Sequence, residues 1–323
     1  MSAPALPPQP AKMALPPDSA TGARARRGLA PPERGLAPYA FVLPYVVLTA
    51  VFFLVPFLDA IALAFFETNG PRARVFVGLA NFRFLLSDPT FYRALWNTTV
   101  FACASVFVQL PLSMGLALLL NSSEGRLRGV LRLVLFSPNL VGQIFVGILF
   151  STLFTPRYGL INRAFYAVFG RGLEVLWLAN PWLVMPALVL TSLWVWVGFN
   201  MVYFLAALQG VDRSLEEAAR IDGANEWQVF RYVTFPSMRH VTMFVVVTSV
   251  IGSYQIFELP LALFNSTDGA GPENAALTLV TYLNNVAFRS GDLGLGSAVG
   301  WIAALIIFLI SLLEIRLSRV LDD

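Results

Sequence analysis

Six long apolar blocks divide this chain, and no other feature restricts its fold as tightly. They run roughly from Tyr39 to Phe66, Trp96 to Leu120, Val130 to Phe154, Leu183 to Leu208, Val241 to Phe264 and Gly296 to Ile315. Each holds about 20 residues or more, enough for an α-helix rising ~1.5 Å per residue to cross a ~30 Å hydrocarbon layer. Inside lipid a segment must satisfy its own backbone N–H and C=O groups, which a helix does without neighbours. The expected fold class is therefore all-α, a polytopic membrane protein with six transmembrane helices. A chain that is 57% hydrophobic and only 13% charged lies well outside ordinary soluble domains.

The formal charge of +3 does not point to nucleic acid, because no basic stripe with interleaved aromatics exists. The basic residues sit beside the apolar blocks. With the N-terminus inside, fourteen of the 22 Lys+Arg fall in cytoplasmic segments, among them Arg126, Arg128 and Arg132 after the second block. This bias puts both termini in the cytoplasm. The expected organisation is a disordered, Pro-rich tail over 1–38 and a first transmembrane helix over 39–66. A periplasmic loop over 67–95 follows, then a transmembrane domain over 96–318 whose cytoplasmic loop spans 210–239. The first block is too long for a signal-peptide core and reads as an uncleaved anchor.

Cys103 and His240 are the only residues of their kinds, so no disulfide or His/Cys metal cluster can form within the chain. A membrane-embedded enzyme would have almost nothing to build from, and no catalytic or metal-ligating residue is assigned. No G-x-x-x-x-G-K-[ST] occurs, so this chain has no phosphate loop for ATP; Gly296 and Gly300 read as a small-residue packing face.

The polar segment Gly210 to Arg239 carries more information than a connector needs. Ser214 followed by Glu217 fits a capping box at a helix start, and Gly223 can end that helix at positive φ. Asn225 can cap a second helix carrying Trp227, Phe230, Arg231 and Val233, before Pro236 breaks the run. By pattern alone such an elbow could simply lie on the bilayer surface. Its residues Glu217-Ala218-Ala219, Arg220, Asp222-Gly223-Ala224, Phe230 and Phe235-Pro236, however, resemble the EAA loop of binding-protein-dependent ABC importer permeases.

The resemblance covers roughly residues 77–318. Val77 to Phe82, Asn97-Thr98, Tyr158 to Asn162, Gly271-Pro272, Ala287 to Arg289 and Leu293-Gly294 are similar to segments of the carbohydrate-uptake, maltose/glycerol-phosphate-like branch. Ala270 stands where that branch often has glycine. The resemblance implies a type I ABC importer permease fold and an elbow seated in an ATPase cleft. It also implies partners: a second permease, two cytoplasmic ATPase subunits that bind ATP and Mg, and an extracytoplasmic solute-binding protein. No cofactor is expected in this chain itself. The cargo implied is a sugar or related polyol.

Polar side chains inside a bilayer are costly and invite a functional reading. Ser253, Tyr254, Gln255 and Glu258 interrupt the fifth block, with Gln255 and Glu258 three apart on one expected helix face. Together with Asn200 on the fourth block they suit a hydroxylated ligand; interhelical hydrogen bonding is the alternative. Tyr203, Asn139 and Gln143 are weaker candidates for the same cavity. Asp59 could face an interfacial partner, and Glu314 is expected to pair with Arg316 or Arg319. An ion-coupled secondary transporter is the alternative function, but Glu258 alone supports it thinly and no internal repeat is evident.

Overall fold

The structure is a computed structural model and describes residues 37–68, 74–122, 126–170, 175–266 and 268–320. The tail expected to be disordered lies almost entirely outside these residues. Two compact units divide the chain, Met1–Leu54 and Val55–Asp323. The described part of the first is the helix Ala37–Thr49 followed by a wider π turn, Ala50–Leu54. Its side chains from Tyr39 to Thr49 are all exposed, as an apolar helix facing lipid requires.

Four helices are long and apolar enough to cross a membrane unbroken: Tyr39–Leu63, Pro89–Ser122, Pro181–Gln209 and Leu293–Arg316. Two further candidates are bent pairs. Arg128–Leu140 turns by 98° into Gln143–Leu153, and Glu226–Ser237 turns by 72° into Arg239–Tyr254. The third block, read as one helix from Val130 to Phe154, is therefore broken. Pro138 opens a 3-10 turn at Ser137–Leu140, Val141 is extended, and Gly142 starts the next helix. A two-stranded hairpin, Phe66–Thr68 against Arg74–Phe76, is the only β structure among the described residues.

Aspartate or asparagine before proline starts two of the spans. Asp88 accepts the Thr90 N–H at 2.9 Å ahead of Pro89, and Asn180 accepts the Trp182 N–H at 3.1 Å ahead of Pro181. Proline suits the first helical position because its missing N–H would be unpaired there anyway. Within helices, proline acts differently. Ala50–Leu54, Ser105–Gln109 and Phe230–Thr234 are π turns, and each ends two residues before a proline: Pro56, Pro111 and Pro236. The ring would collide with the carbonyl four residues back, and widening the preceding turn relieves that collision. Pro236 consequently does not stop its helix, as expected above; the chain passes through it and turns at Met238.

The fifth block also ends early. Its helix stops at Tyr254, Gln255 and Phe257 leave helical geometry, and a short helix resumes at Glu258–Leu263. Pro260 accounts for the break, because it cannot donate to the Ile256 carbonyl four residues earlier. That carbonyl instead accepts the Thr278 hydroxyl at 3.0 Å. Gln255 and Glu258 therefore do not share a continuous helix face, contrary to the expectation from spacing.

Packing follows the spans. Phe91, Ala94 and Ala102 of the second span meet Val250, Tyr254, Leu279, Tyr282, Ala298 and Val299 in one buried cluster. Val146, Phe150 and Phe154 meet Ala187, Leu188, Val195, Leu259 and Leu263 in another. Leu110, Met114 and Ala117 pack on Met201, Phe204, Leu205 and Val245 in a third. The fourth span passes so near the broken third that a Cβ on Gly198 would overlap the Leu135 carbonyl.

Several segments that resemble the permease branch serve as ties between loops and helices. Asn81 donates to the Ala64 and Phe66 carbonyls at 3.0 and 2.9 Å. Asn97 donates to Asn274 and Leu277 at 2.8 and 3.0 Å, and the Thr98 hydroxyl accepts the Leu279 N–H at 2.9 Å. Asn162 donates to the carbonyls of Thr155, Pro156 and Val175 and accepts the Trp177 indole N–H. Each asparagine thereby binds connecting backbone to a helix; the Thr155 and Asn274 carbonyls also accept backbone N–H groups, from Gly159 at 3.0 Å and Leu277 at 3.2 Å.

Candidate functional site

Two features are built on this frame, an elbow and a cavity. The elbow begins with the helix Arg213–Ile221, capped by Asp212, which accepts the Ser214 N–H at 2.9 Å. The cap thus lies two residues before the Ser214 of the Ser214 and Glu217 box expected from sequence. The Ser214 N–H and hydroxyl hold the Asp212 carboxyl below the usual carboxylate range. Gly223 sits at φ +89° and reverses the chain, with the Ala224 N–H returning to the Ala219 carbonyl at 3.0 Å. Asn225 then caps the second helix in a reciprocal box with Gln228, at 2.9 and 2.8 Å.

Side chains brace the elbow across the glycine. Arg220 reaches Glu226 with two bonds, at 3.0 and 3.2 Å, and this partner raises the guanidinium pKa. Glu216 accepts the buried Thr234 hydroxyl at 2.8 Å. Glu216, not Glu217, thereby ties the two helices together. Glu217, Ala218, Asp222 and Gly223 are exposed, as are Leu215 and Ile221, while Ala219 and Ala224 are half-buried. Ile221 is 86% exposed in this chain, which is unusual for so apolar a side chain on a charged surface.

The cavity, of about 550 Å³, opens between the second, fourth and fifth spans. That volume lies within the ~300–1000 Å³ range of small-molecule sites. Ser253, Gln255, Glu258 and Asn200 line it, together with Gln143, Gln109 and Ser105. Trp196, Phe199, Phe101 and Phe257 supply aromatic wall. Although the helix breaks after Tyr254, the break itself carries Gln255 and Glu258 to the same opening.

Tyr254 is placed elsewhere. It is buried in the core beside the second span, with its hydroxyl 3.0 Å from that of Thr99. Tyr203 packs between Phe199 and Phe244, and neither it nor Asn139 lines the cavity. The Ser253 hydroxyl donates to the Ser249 carbonyl at 2.7 Å and so keeps only acceptor capacity for a ligand. Asp59 forms a bidentate pair with Arg74 at 3.0 and 3.3 Å. Glu314 does not pair with Arg316 two residues on, which points to the opposite side of the helix; its Oε2 is buried without a hydrogen bond among the described residues. The Arg319 side chain lies outside them.

The amides are what distinguish this cavity. Asn200 is only 5% exposed and Gln109 4%; both line the cavity, and no side-chain hydrogen bond holds either one among the described residues. Ser105 and Gln109 were not singled out from sequence. They stand four apart in the π turn ahead of Pro111, and two polar residues at helical spacing in an apolar block were the available signal.

Residues 109–323 match the family described as the binding-protein-dependent transport system inner membrane component. The chain belongs to this family of permeases. Among its relatives, the arabinooligosaccharides transport system permease protein AraP of Bacillus subtilis (strain 168) is 36% identical over 282 residues. That alignment covers 87% of this permease and 88% of the relative. The lactose transport system permease protein LacF of Rhizobium radiobacter is 33% identical, with 87% and 93% covered. The fold is similar to a chain in the crystal structure of a bacterial ABC transporter involved in the import of the acidic polysaccharide alginate. The TM-score is 0.76 at 23% identity, covering 89% of this permease and 96% of that chain. The permease is accordingly a multi-pass inner membrane transport subunit that works with a binding protein, and the ion-coupled secondary transporter is set aside.

Proposed function

We propose that this permease forms half of the translocation route for a sugar or related polyol, delivered by the extracytoplasmic binding protein. The observation that carries the reading is the cavity rimmed by amides that have no side-chain hydrogen bond among the described residues. Gln109, Gln143, Asn200 and Gln255 offer both donors and acceptors, which suits hydroxyl groups that themselves donate and accept. Trp196 and Phe199, packed edge-to-face with centroids 5.7 Å apart, give an apolar wall for a sugar ring's C–H face. The names of the relatives, which transport arabino-oligosaccharides and lactose, support the same cargo class.

In this reading Ser253, Gln255, Glu258 and Asn200 contact cargo, and Tyr254 holds the wall from behind. A second, related permease completes the route. Two ATPase subunits bind ATP and Mg below it, and the exposed Glu217, Ala218, Arg220, Asp222 and Gly223 elbow docks into one of them, with Ala219 and Ala224 beneath. Both termini lie in the cytoplasm of a bacterial cell. Closure of the ATPases draws the elbows together and rocks the spans between inward and outward access.

The test is ATP-dependent uptake of neutral oligosaccharides by the whole transporter in proteoliposomes, with its binding protein added. Asn200→Ala and Gln109→Ala should each lower uptake by about threefold to tenfold, the net worth of one hydrogen bond. Subunit recovery in mild detergent should not change. Uptake unaffected by both substitutions would refute the cavity as the cargo site. Failure to recover any ATPase with the tagged chain would refute the elbow's role.

A further inference from the structure

The charge of the cavity narrows the cargo further, in an argument that rests on the cavity being the cargo site. Among the described residues Glu258 is the one ionisable residue lining it; the other polar side chains there carry amides, hydroxyls or, for Trp196, an indole N–H. No arginine lines the cavity among the described residues, and the Glu258 carboxylate has neither an ion pair nor a hydrogen bond among them. The carboxylate stands at the start of the short helix Glu258–Leu263, where the break imposed by Pro260 turns it to the opening. The Glu258 side chain is exposed to this opening, and at an effective dielectric of about 20, that of charges near a protein surface, its field still reaches across a space of this size.

We infer that Glu258 makes the cavity an anion-excluding filter, so that the permease passes neutral saccharides and rejects uronates, aldonates and sugar phosphates. Unit charges roughly 6–10 Å apart at an effective dielectric of about 20 discriminate by about tenfold to a hundredfold. The amides are indifferent to cargo charge and set affinity for hydroxyls. Glu258 sets the sign of what is admitted.

Cysteine labelling in the intact transporter reads the field without knowledge of the cargo. Gly252 lines the cavity, and a Cβ there meets nothing within 4 Å. Gly252→Cys is made in a Cys103→Ser background, with Thr248→Cys as a second reporter on the same lining. A cationic and an anionic methanethiosulfonate of similar size are compared, each rate normalised to a small free thiol. The cationic reagent should be favoured by about tenfold or more, and Glu258→Gln should bring the ratio to within about twofold of the free thiol.

A parent ratio no greater than that of the free thiol would overturn the filter, as when a partner permease supplies a compensating cation. A bias that survives Glu258→Gln would overturn the assignment to this residue. Labelling at neither position would show that the cavity is closed to water and overturn both. The underlying sugar reading fails separately, when a panel of neutral oligosaccharides gives no ATP-dependent uptake whatever the labelling ratio.

Discussion

Gly198→Ala is the substitution whose outcome the structure specifies most closely. The added methyl would overlap the carbonyl carbon and oxygen of Leu135 and lie 3.1 Å from the Phe136 nitrogen. All three are backbone atoms, so no side-chain rotation can make room. The fourth span must move away from the broken third, or the 3-10 turn at Ser137–Leu140 must shift. Both consequences reach the cavity, since Trp196, Phe199 and Asn200 stand on one side of this contact and Gln143 follows on the other. Overpacking of this kind costs about 1–3 kcal/mol. At about 2–4 °C per kcal/mol for a chain of moderate size, the melting temperature should fall by several degrees. Gly115→Ala is the matched control, because nothing lies within 4 Å of its Cβ and it too is helical. There the gain in helix propensity should stabilise by about 0.5–1 kcal/mol. Thermal unfolding of the purified transporter, followed by loss of soluble complex on heating, separates the two signs. Equal melting temperatures for Gly198→Ala, Gly115→Ala and the parent would show that the close approach does not exist.

At the elbow, Gly223 is confined by conformation and not by space, since φ is +89° with open surroundings. A β-branched residue there should cost about 1–2 kcal/mol and asparagine less. Gly223→Val is therefore expected to retain ATPase activity while uptake falls, and Gly223→Asn to be milder; equal coupling in both would argue against the bend. Asn97→Ala removes the donor to the Leu277 carbonyl and one of two donors to that of Asn274, which keeps the Leu277 N–H at 3.2 Å. The loss, about 1–3 kcal/mol, should be visible in thermal unfolding. Asn97→Asp should not rescue it, because a carboxylate cannot donate to either. Asp88 accepts the Tyr282 hydroxyl at 2.5 Å. Burial pushes the Asp88 carboxyl up, but the bonds from Tyr282 and Thr90 outweigh it and hold the group below its ordinary value. Its contribution is thus fully present above the unfolded value, near 3.8, and is lost as pH falls through the lower folded one. Burial, then Asp88, raises the Tyr282 phenol, whose contribution is lost only in strong alkali. Asp88→Asn should flatten the acid limb of a stability–pH profile measured below about pH 4; an unchanged acid limb would refute the tether.

Much of this architecture could be read along the chain because membrane insertion is a local requirement. Twenty apolar residues must become a helix whatever surrounds them, so the blocks at Pro181–Gln209 and Leu293–Arg316 were found within about three residues of their ends, and that at Pro89–Ser122 at its end, though its start was placed late, at Trp96. The elbow was also legible, because glycine at a reversal and asparagine at a cap act over three or four residues. Its exact cap was not, since Asp212, Ser214 and Glu217 compete for the same N–H groups and geometry alone selects Asp212.

The polar residues divide differently. Spacing put Ser253, Tyr254, Gln255 and Glu258 together, but one turn of helix cannot reveal which of them faces a neighbour. Tyr254 turned into the core towards Thr99, while Gln255 and Glu258 reached the cavity only because Pro260 interrupts the helix they were assumed to share. Gln109 and Ser105 joined them from a segment almost 150 residues earlier, which no local pattern connects to the fifth span. By itself, then, the sequence determined that this chain crosses a membrane several times and carries a two-helix elbow turned at Gly223, because hydration and backbone hydrogen bonding act residue by residue. Only the tertiary structure decided which polar groups confront one another across an open space, because that depends on where proline breaks the helices and how closely Gly198 lets two of them approach.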